Sequence, residues 1–497
     1  MERNVDYVYL LCMKIIGALF FLCLLIFLSS CRKDEDFLKD PSAKLSFSTD
    51  SISYDTVFSS IGTSTKYFMV YNKNEETIEV SSIQLKGGTN SAFRINVDGI
   101  ASTRIQNVKI LPGDSLYVFV EATINPRDQD NPFFVEDAVE FVTNGNFQEV
   151  KLLAYGQDAY YIIADRKIGG LPPFRIAVAE GTDTTWTNKR PIVVYGFALV
   201  DSAATLRISE GTQIYFHQNS GLWIYSGATI KVTGSKANPV VFQGDRLEAS
   251  YEDVPGQWDR IWINDGSSGN EFEYAVIKNA FIGLQAEVFP FADPQNPITA
   301  GLTLKNTIIQ NSSAFGIYSA FFELNAENLL VSNSGQYNLA VLGGGKYTFK
   351  HSTFVNYFSS ARRETPSVYV QNSIVNALGT KLVGSPELYF YNSIIDGANE
   401  EEFDFEEEVG GTVNYLFSNS LLKTKKDISS TVHFQNVLKN PAGKIFENVA
   451  EQDFHLAEDS PAIDFGEISV GNAVPLDLDG NSRVADGKPD AGAYEFQ

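Results

Sequence analysis

Two hydrophobic rhythms run along the chain. Over residues 67–71, 78–85, 93–97, 115–122, 138–142 and 149–155, apolar and polar positions alternate with the period of two that marks half-buried β-strands. Turn chemistry parts these runs at Asn72-Lys73-Asn74, Gly87-Gly88, Pro112-Gly113-Asp114 and Asn144-Gly145-Asn146. Roughly seven strands in about 110 residues, with a turn every dozen or so, predict a β-sandwich over residues 44–158.

From about residue 186 to 460 the rhythm becomes a repeat. A pattern of polar, Asn or His, small and apolar residues recurs as Lys305-Asn306-Thr307-Ile308-Ile309, Glu327-Asn328-Leu329-Leu330-Val331, Lys350-His351-Ser352-Thr353-Phe354, Gln371-Asn372-Ser373-Ile374-Val375 and Tyr391-Asn392-Ser393-Ile394-Ile395. The marker positions 306, 328, 351, 372 and 392 lie 22, 23, 21 and 20 residues apart. A sixth copy at Asn419 follows after 27, with an acidic stretch at 398–411 accounting for the excess. A weaker copy at Tyr274 precedes a long proline-containing loop at 287–299. Such a period, with short apolar runs in each copy, is the signature of a solenoid. The regularly placed leucines of a leucine-rich repeat are missing, and a parallel β-helix suits the Val, Ile, Leu and Phe of the runs better. A second series, Asn279, Asn311, Asn333 and Asn356, predicts side-chain amides stacked in ladders from coil to coil. The fold class expected is therefore all-β, a sandwich followed by a parallel β-helix over 159–460, closed by a capping segment at 461–497.

The first thirty residues do not belong to either rhythm. Lys14 precedes an apolar run at 15–28, interrupted only by Gly17, Ala18 and Cys23, and Leu28-Ser29-Ser30-Cys31 follows. A positive residue, a short apolar core and small residues before a cut site predict a secretory signal over 1–30, and the run is short for a membrane span. Met13-Lys14 would itself begin a well-formed signal, whereas residues 2–9 look unlike one, so the start at Met1 or Met13 stays open. The tetrad ending at Cys31 resembles the lipobox of bacterial lipoproteins. That resemblance implies that Cys31 is acylated and becomes the first residue of the mature chain, anchoring it to a membrane. Arg32-Lys33-Asp34-Glu35-Asp36, at the head of a tether over 31–43, resembles the signal that sends lipoproteins of Bacteroidetes to the exterior of the outer membrane.

Composition narrows the partners. The chain carries 61 acidic and 38 basic residues, a net charge of −23, which repels phosphate backbones and argues against nucleic acid. All three cysteines (Cys12, Cys23, Cys31) lie in or at the end of the signal, so the body has neither disulfide nor thiolate chemistry. Its stability must come from packing, to which 36 Phe and 23 Tyr contribute.

Family resemblances sharpen the fold more than the function. Tyr71-Asn72-Lys73, Ile83-Gln84-Leu85, Phe93-Arg94-Ile95 and Leu111-Pro112-Gly113-Asp114 are similar to immunoglobulin-like modules of the ASPM/SPD-2/hydin type, which act as spacers or adhesion units. The stretch Thr205-Leu206-Arg207-Ile208-Ser209-Glu210-Gly211-Thr212, residues 222–234, Asn238-Pro239-Val240-Val241-Phe242 and Gly256-Gln257-Trp258-Asp259-Arg260-Ile261 resemble the opening coils of right-handed β-helix proteins of the pectin-lyase-like kind. Phe454-His455-Leu456, Ser460-Pro461-Ala462-Ile463-Asp464 and Asp490-Ala491-Gly492-Ala493-Tyr494-Glu495 resemble the C-terminal segment of bacterial β-helix surface proteins. That fold hosts lyases, hydrolases, epimerases and adhesins, so the resemblance leaves activity open.

Lyases on this fold need an Arg or Lys base, usually with calcium; hydrolases need two or three carboxylates at a set separation. The repeats present mostly Ser, Thr, Asn, Gln and Tyr outward, and charged candidates appear only at Asp245-Arg246, Asp253, Asp259-Arg260 and Lys278. These read as loop salt bridges before they read as a site, and no catalytic residue is assigned. The histidines His217, His351, His433 and His455 have no ligand spacing, and His351 sits at an asparagine position of the repeat. Asp477-Leu478-Asp479-Gly480-Asn481 begins like a calcium loop but lacks its later ligands, and is read as a turn. The run at 400–408 packs seven acids into nine residues and is read as a solvated insertion. No cofactor is expected, calcium being the one left open. The function expected is a lipid-anchored outer-membrane protein facing the exterior, whose β-helix face, with Trp223, Trp258 and Trp262, binds an extended polymer such as glycan without catalysis. A polysaccharide lyase or glycoside hydrolase, and an adhesin for protein partners, are the alternatives.

Overall fold

The computed structural model describes residues 37–267, 269–288, 300–376 and 379–497. The signal segment, Cys31 and the start of the tether lie outside the described residues. Within them the chain is nearly all β, and no helix is long and apolar enough to cross a membrane. It divides into two units, one ending at Asn125 but regaining Phe134–Tyr155, the other made of Pro126–Phe133 and Gly156–Gln497.

The first unit holds two five-stranded sheets. One orders Ser46–Phe47, Lys66–Tyr71, Ser115–Ala122, Phe93–Val97 and Ile100–Ala101, paired antiparallel throughout. The other orders Ser51–Phe58, Asn146–Gln157, Phe133–Thr143, Ile78–Leu85 and Arg104–Ile110. The alternation seen in sequence dictates which side chains meet between them. Phe68, Val70, Val118 and Val120 from one sheet and Val80, Ile83, Val139 and Phe141 from the other are fully buried. The Phe68 and Phe141 rings pack edge to face at 6.2 Å. The runs at 78–85, 93–97 and 115–122 are strands over those same residues, whereas Phe133–Thr143 and Asn146–Gln157 extend well beyond the alternating cores expected for them. Ser51–Phe58 and Arg104–Ile110 are additional strands, the second broken in its pattern by Asn107, whose φ of 55° lies in the left-handed region.

In the second unit, parallel pairing dominates, and each strand at first bonds to the one three further along. The result is three ladders. The first runs through Phe174–Val178, Phe197–Val200, Gly221–Ile224, Trp258–Ile263 and Ala280–Glu287, then the opening residues of Phe315–Ser332 and Tyr337–Lys350, and ends on Val368–Gln371 and Phe403–Glu406. The second starts at Asp183–Trp186 and the third at Tyr160–Ile163. Alternate side chains of all three ladders fill one continuous core from Val178 to Phe434.

The recurring asparagines have a cause other than the one their spacing suggested. Tyr274, Asn306, Asn328, His351, Asn392 and Asn419 all have φ between 48° and 53°, at the single-residue corner between second-ladder and third-ladder strands. Asparagine tolerates that left-handed conformation better than any residue except glycine, which explains its recurrence. Amide rungs do form in this series, from Asn328 to Asn306 (2.8 Å) and from Asn392 to His351 (3.0 Å), and His351 is thus a stack member. In the second series the expected ladder is absent. Asn279, Asn311 and Asn333 again take left-handed corners, and their amides reach Glu252, Asp253 and Gln452 rather than one another. Asn356 donates to the Ser334 carbonyl.

One copy of the repeat is not a rung at all. His351 stacks directly on Asn392, 41 residues away, so the copy at 371–375 falls out of register. Its residues Ser373–Val375 instead pair antiparallel with Lys381–Val383, and Ile374 and Leu382 from this pair pack against the core. Asn372 there clamps the acidic run, donating to the Glu408 carbonyl and accepting from the Glu408 N–H.

The C-terminal residues lie against the outer face of the third ladder. Phe446, Phe454, Leu456, Ala462, Leu478, Ala491 and Ala493 pack on Leu330, Val355, Ile394 and Leu421. Arg483 is fully buried beneath them and donates to Glu495 (2.8 Å) and to Asn328 (2.7 Å).

Candidate functional site

The outer face of the first ladder is the most organised surface of the second unit. Leu222, Ile224, Ile261, Ile263, Leu284, Ala286, Ile317, Leu339, Val368 and Val370 point to the core, so the residues between them point outward. In register, that outward row reads Trp223, Trp262, Gln285, Tyr318, Ala340, Tyr369 and Asp404. A second row beside it carries Phe315 and Tyr337. Because neighbouring rungs are about 4.8 Å apart, aromatic rings on successive rungs stack. Trp223 lies on Trp262 at 4.9 Å, Phe315 on Tyr337 at 5.8 Å and Tyr337 on Tyr369 at 5.0 Å. The Phe315 and Tyr318 rings meet at 5.7 Å. Trp262, Phe315, Tyr318, Tyr337 and Tyr369 are all half-buried, and Tyr337 has Phe315 stacked on one face and Tyr369 on the other.

At one end of this strip a polar network closes around Glu287. Trp262 Nε1 donates to Glu287 Oε1 at 2.9 Å, and Gln285 Nε2 donates to the same oxygen at 2.7 Å. The Gln285 carbonyl oxygen accepts from Arg260, whose guanidinium also pairs with Asp259. Burial pushes the Glu287 carboxyl up from its ordinary 4.5 to about 7, against the opposing pull of Gln285, Trp262 and Arg260. Burial and the nearby Glu287 push the Tyr318 phenol up as well. At the other end Tyr369 is pushed up by burial and by Glu406, and Lys426 pairs with Asp404 at 2.7 Å.

The charged residues singled out in the sequence are not gathered into one site. Only Asp259 and Arg260 join this network. Asp245 closes a different cluster at the end of third-ladder strands, where its Oδ2 meets His217 Nδ1 at 2.8 Å and the His217 ring stacks on Tyr195 at 4.5 Å. Burial raises the Asp245 carboxyl, while His217 opposes the rise. Arg246 pairs with Glu248 and covers the Tyr251 ring at 3.8 Å, Asp253 accepts from Asn311, and Lys278 lies on the third ladder opposite Gln310. Among the tryptophans, Trp258 faces the core: its ring stacks on Phe216 at 4.4 Å and its Nε1 donates to the Lys278 carbonyl. Trp223 is only 1% exposed, held by Phe174 and by a 2.6 Å bond to Asn264. Of the three, Trp262 alone offers a partly open ring.

The acidic run is not a solvated insertion. Phe403–Glu406 is a strand of the first ladder paired with Val368–Gln371. Glu402 is fully buried against Arg363 at 2.6 Å, and Glu400, Asp404 and Glu408 pair with Lys425, Lys426 and Lys381. Asp477 is spent on its own turn, accepting from the Asn481 and Glu495 N–H groups. His455 bridges Asp453 and Asp479, and His433 stacks on Tyr415 at 4.3 Å. Among the described residues no group of three or more His, Cys, Asp or Glu is arranged to hold a metal.

Comparison with known proteins adds little to this geometry. No family model matches the sequence, and no curated protein matches it. Among solved structures, 22% of the chain is similar to a quarter of a family 123 glycoside hydrolase from Clostridium perfringens, described in work on glycolipid glycan hydrolysis, at 8% identity and a TM-score of 0.17. A further 26% coverage, at 15% identity and the same TM-score of 0.17, is found with PapD-like domain 7 of human CEP192, of which 95% is spanned. Neither likeness is close enough to bear on fold or activity.

Proposed function

We propose that this protein is a lipid-anchored outer-membrane protein, exposed on the cell exterior, that binds an extended glycan along the outer face of its first ladder without cleaving it. In this reading Cys31 carries the lipid, the first unit is an immunoglobulin-like spacer, and the second is a right-handed parallel β-helix. The parallel pairing of every third strand and the recurring left-handed corners support the β-helix. The observation that carries the binding function is the row of half-buried aromatic rings from Trp262 to Tyr369. Such a row offers a strip of apolar ring surface against which a sugar chain can pack, and the polar tips of the rings and the adjacent Gln285 and Glu287 supply hydrogen bonds.

A hydrolytic reading draws on one observation, the Glu287 carboxyl held near neutrality, as a general acid requires. It also needs a second, free carboxylate, and Asp259 is committed to Arg260. One experiment separates the readings. Full-length protein purified in mild detergent is passed over immobilised polysaccharides, with chain length of the polymer measured afterwards. Retention without shortening, lost in Trp262→Ala, is the expected result. Shortening of the polymer would replace binding by hydrolysis, and retention unchanged in Trp262→Ala would remove the aromatic row from the function.

A further inference from the structure

We infer that the aromatic row accepts an uncharged glycan and turns away polymers of uronic acid; the inference rests on the glycan-binding reading and names its ligand class. The argument is one of charge placed around a fixed apolar strip. Asp259 and Glu287 border the Trp262 end, and Asp404 and Glu406 border the Tyr369 end. Two cations lie among these four carboxyls, and both are engaged. Arg260 is spread between Asp259 and the Gln285 carbonyl oxygen. Lys426 sits on Asp404 at 2.7 Å, with its ammonium 4.8 Å from the Phe405 ring. After these pairings Glu406 remains as excess acid, and Glu287, its carboxyl pushed up by burial, adds charge as pH rises past neutrality. A uronate carboxylate laid on the row would thus meet like charge at the Tyr369 end, and at the Trp262 end as well above neutral pH, in a chain that already carries −23.

The same groups suit neutral hydroxyls. Glu287 Oε1 is occupied by the Trp262 and Gln285 donors, while Oε2 takes neither bond. Gln285 and Glu287 are the polar groups a sugar hydroxyl would meet beside the Trp262 indole. An amine-bearing sugar is the less suited partner, because Glu287 lies 8% exposed and its buried carboxyl would have to strip a cation of water to pair with it.

The test uses the full-length protein on immobilised neutral polymers (glucan, mannan, xylan), uronate polymers (polygalacturonate, alginate) and chitosan, at low and at raised salt. The expected result is retention on at least one neutral polymer, roughly tenfold above every uronate polymer, and lost in Trp262→Ala. Glu406→Gln, which removes the unpaired acid at the Tyr369 end, is expected to raise uronate retention roughly threefold at low salt, an effect that fades as salt screens it. Stronger retention on a uronate polymer or on chitosan, abolished by Trp262→Ala, would overturn the ligand class while leaving the aromatic row as a glycan site. Retention of no polymer, or retention indifferent to Trp262→Ala, would overturn both readings.

Discussion

Glu287 is a carboxyl that the fold holds at a cost, and replacing it by glutamine should expose that cost. In Glu287→Gln the carbonyl oxygen can still accept from Trp262 Nε1 and Gln285 Nε2, so the hydrogen bonds to Oε1 survive while the charge goes. The wild-type carboxyl has its affinity for a proton raised on folding, from 4.5 to about 7. The folded state therefore binds this proton more tightly than the unfolded state does. The stability that comes with it is fully present below pH 4.5 and is lost as pH climbs through 7. The difference corresponds to a penalty of roughly 3 kcal/mol on the folded wild type above pH 8. At pH 4.5 the same linkage leaves about half a kcal/mol. The variant should thus be more stable than wild type at pH 8.5, by up to roughly 3 kcal/mol, and nearly equal to it at pH 4.5. Denaturant midpoints of the two proteins at both pH values provide the comparison, since other carboxyls titrate identically in each. Tryptophan fluorescence gives an independent readout: Trp262 should report a titration with a midpoint near 7 that vanishes in the variant. A stability difference that does not change between the two pH values, or a variant weaker than wild type at pH 8.5, would refute the reasoning.

Other consequences follow from the corners, the buried ion pair and the anchor. Asn392 combines a φ of 49° with bonds to His351 and to both backbone groups of Glu467, so Asn392→Ala should lower stability by about 2–4 kcal/mol, whereas Asn392→Gly recovers the backbone share alone, as thermal unfolding would show. Arg363→Met strands the buried Glu402 and should cost roughly 3–5 kcal/mol, most of which returns when Glu402→Leu is added; a double variant no better than the single one would contradict this. Cys31→Ala should abolish incorporation of labelled fatty acid and shift the protein from the membrane to the soluble fraction of cells. Protease added to intact cells should remove the wild-type protein, and survival of the full chain would contradict exposure on the exterior.

What could be read from the sequence was whatever repeats at the scale of a few residues. Alternation places a strand wherever every second side chain must be apolar, which is why Ile78–Leu85 and Ser115–Ala122 were legible from their residues alone. The asparagine spacing likewise marked a repeat of stacked strands, because the chain must turn a corner between strands that few residues tolerate. The tertiary structure decided what depends on register between distant strands. The copy at Asn372 matches the pattern as well as its neighbours do, yet the coil it belongs to is enlarged and His351 meets Asn392 instead. Trp258 and Trp262 lie four residues apart, but the strand between them shifts register past Arg260, which sends one ring to the core and the other to the surface. The Glu287 network was missed for the same reason. Gln285 and Glu287 alternate with Leu284 and Ala286 as an outward pair should, but nothing local connects them to Trp262 on the strand before. Even the acidic run, so plainly a solvated loop by composition, becomes part of a ladder once lysines from a later coil and Arg363 from an earlier one come alongside. Local chemistry sets which face a strand must bury; only the stacking of strands determines which side chains share the other face, because those neighbours are separated by some twenty or more residues of chain.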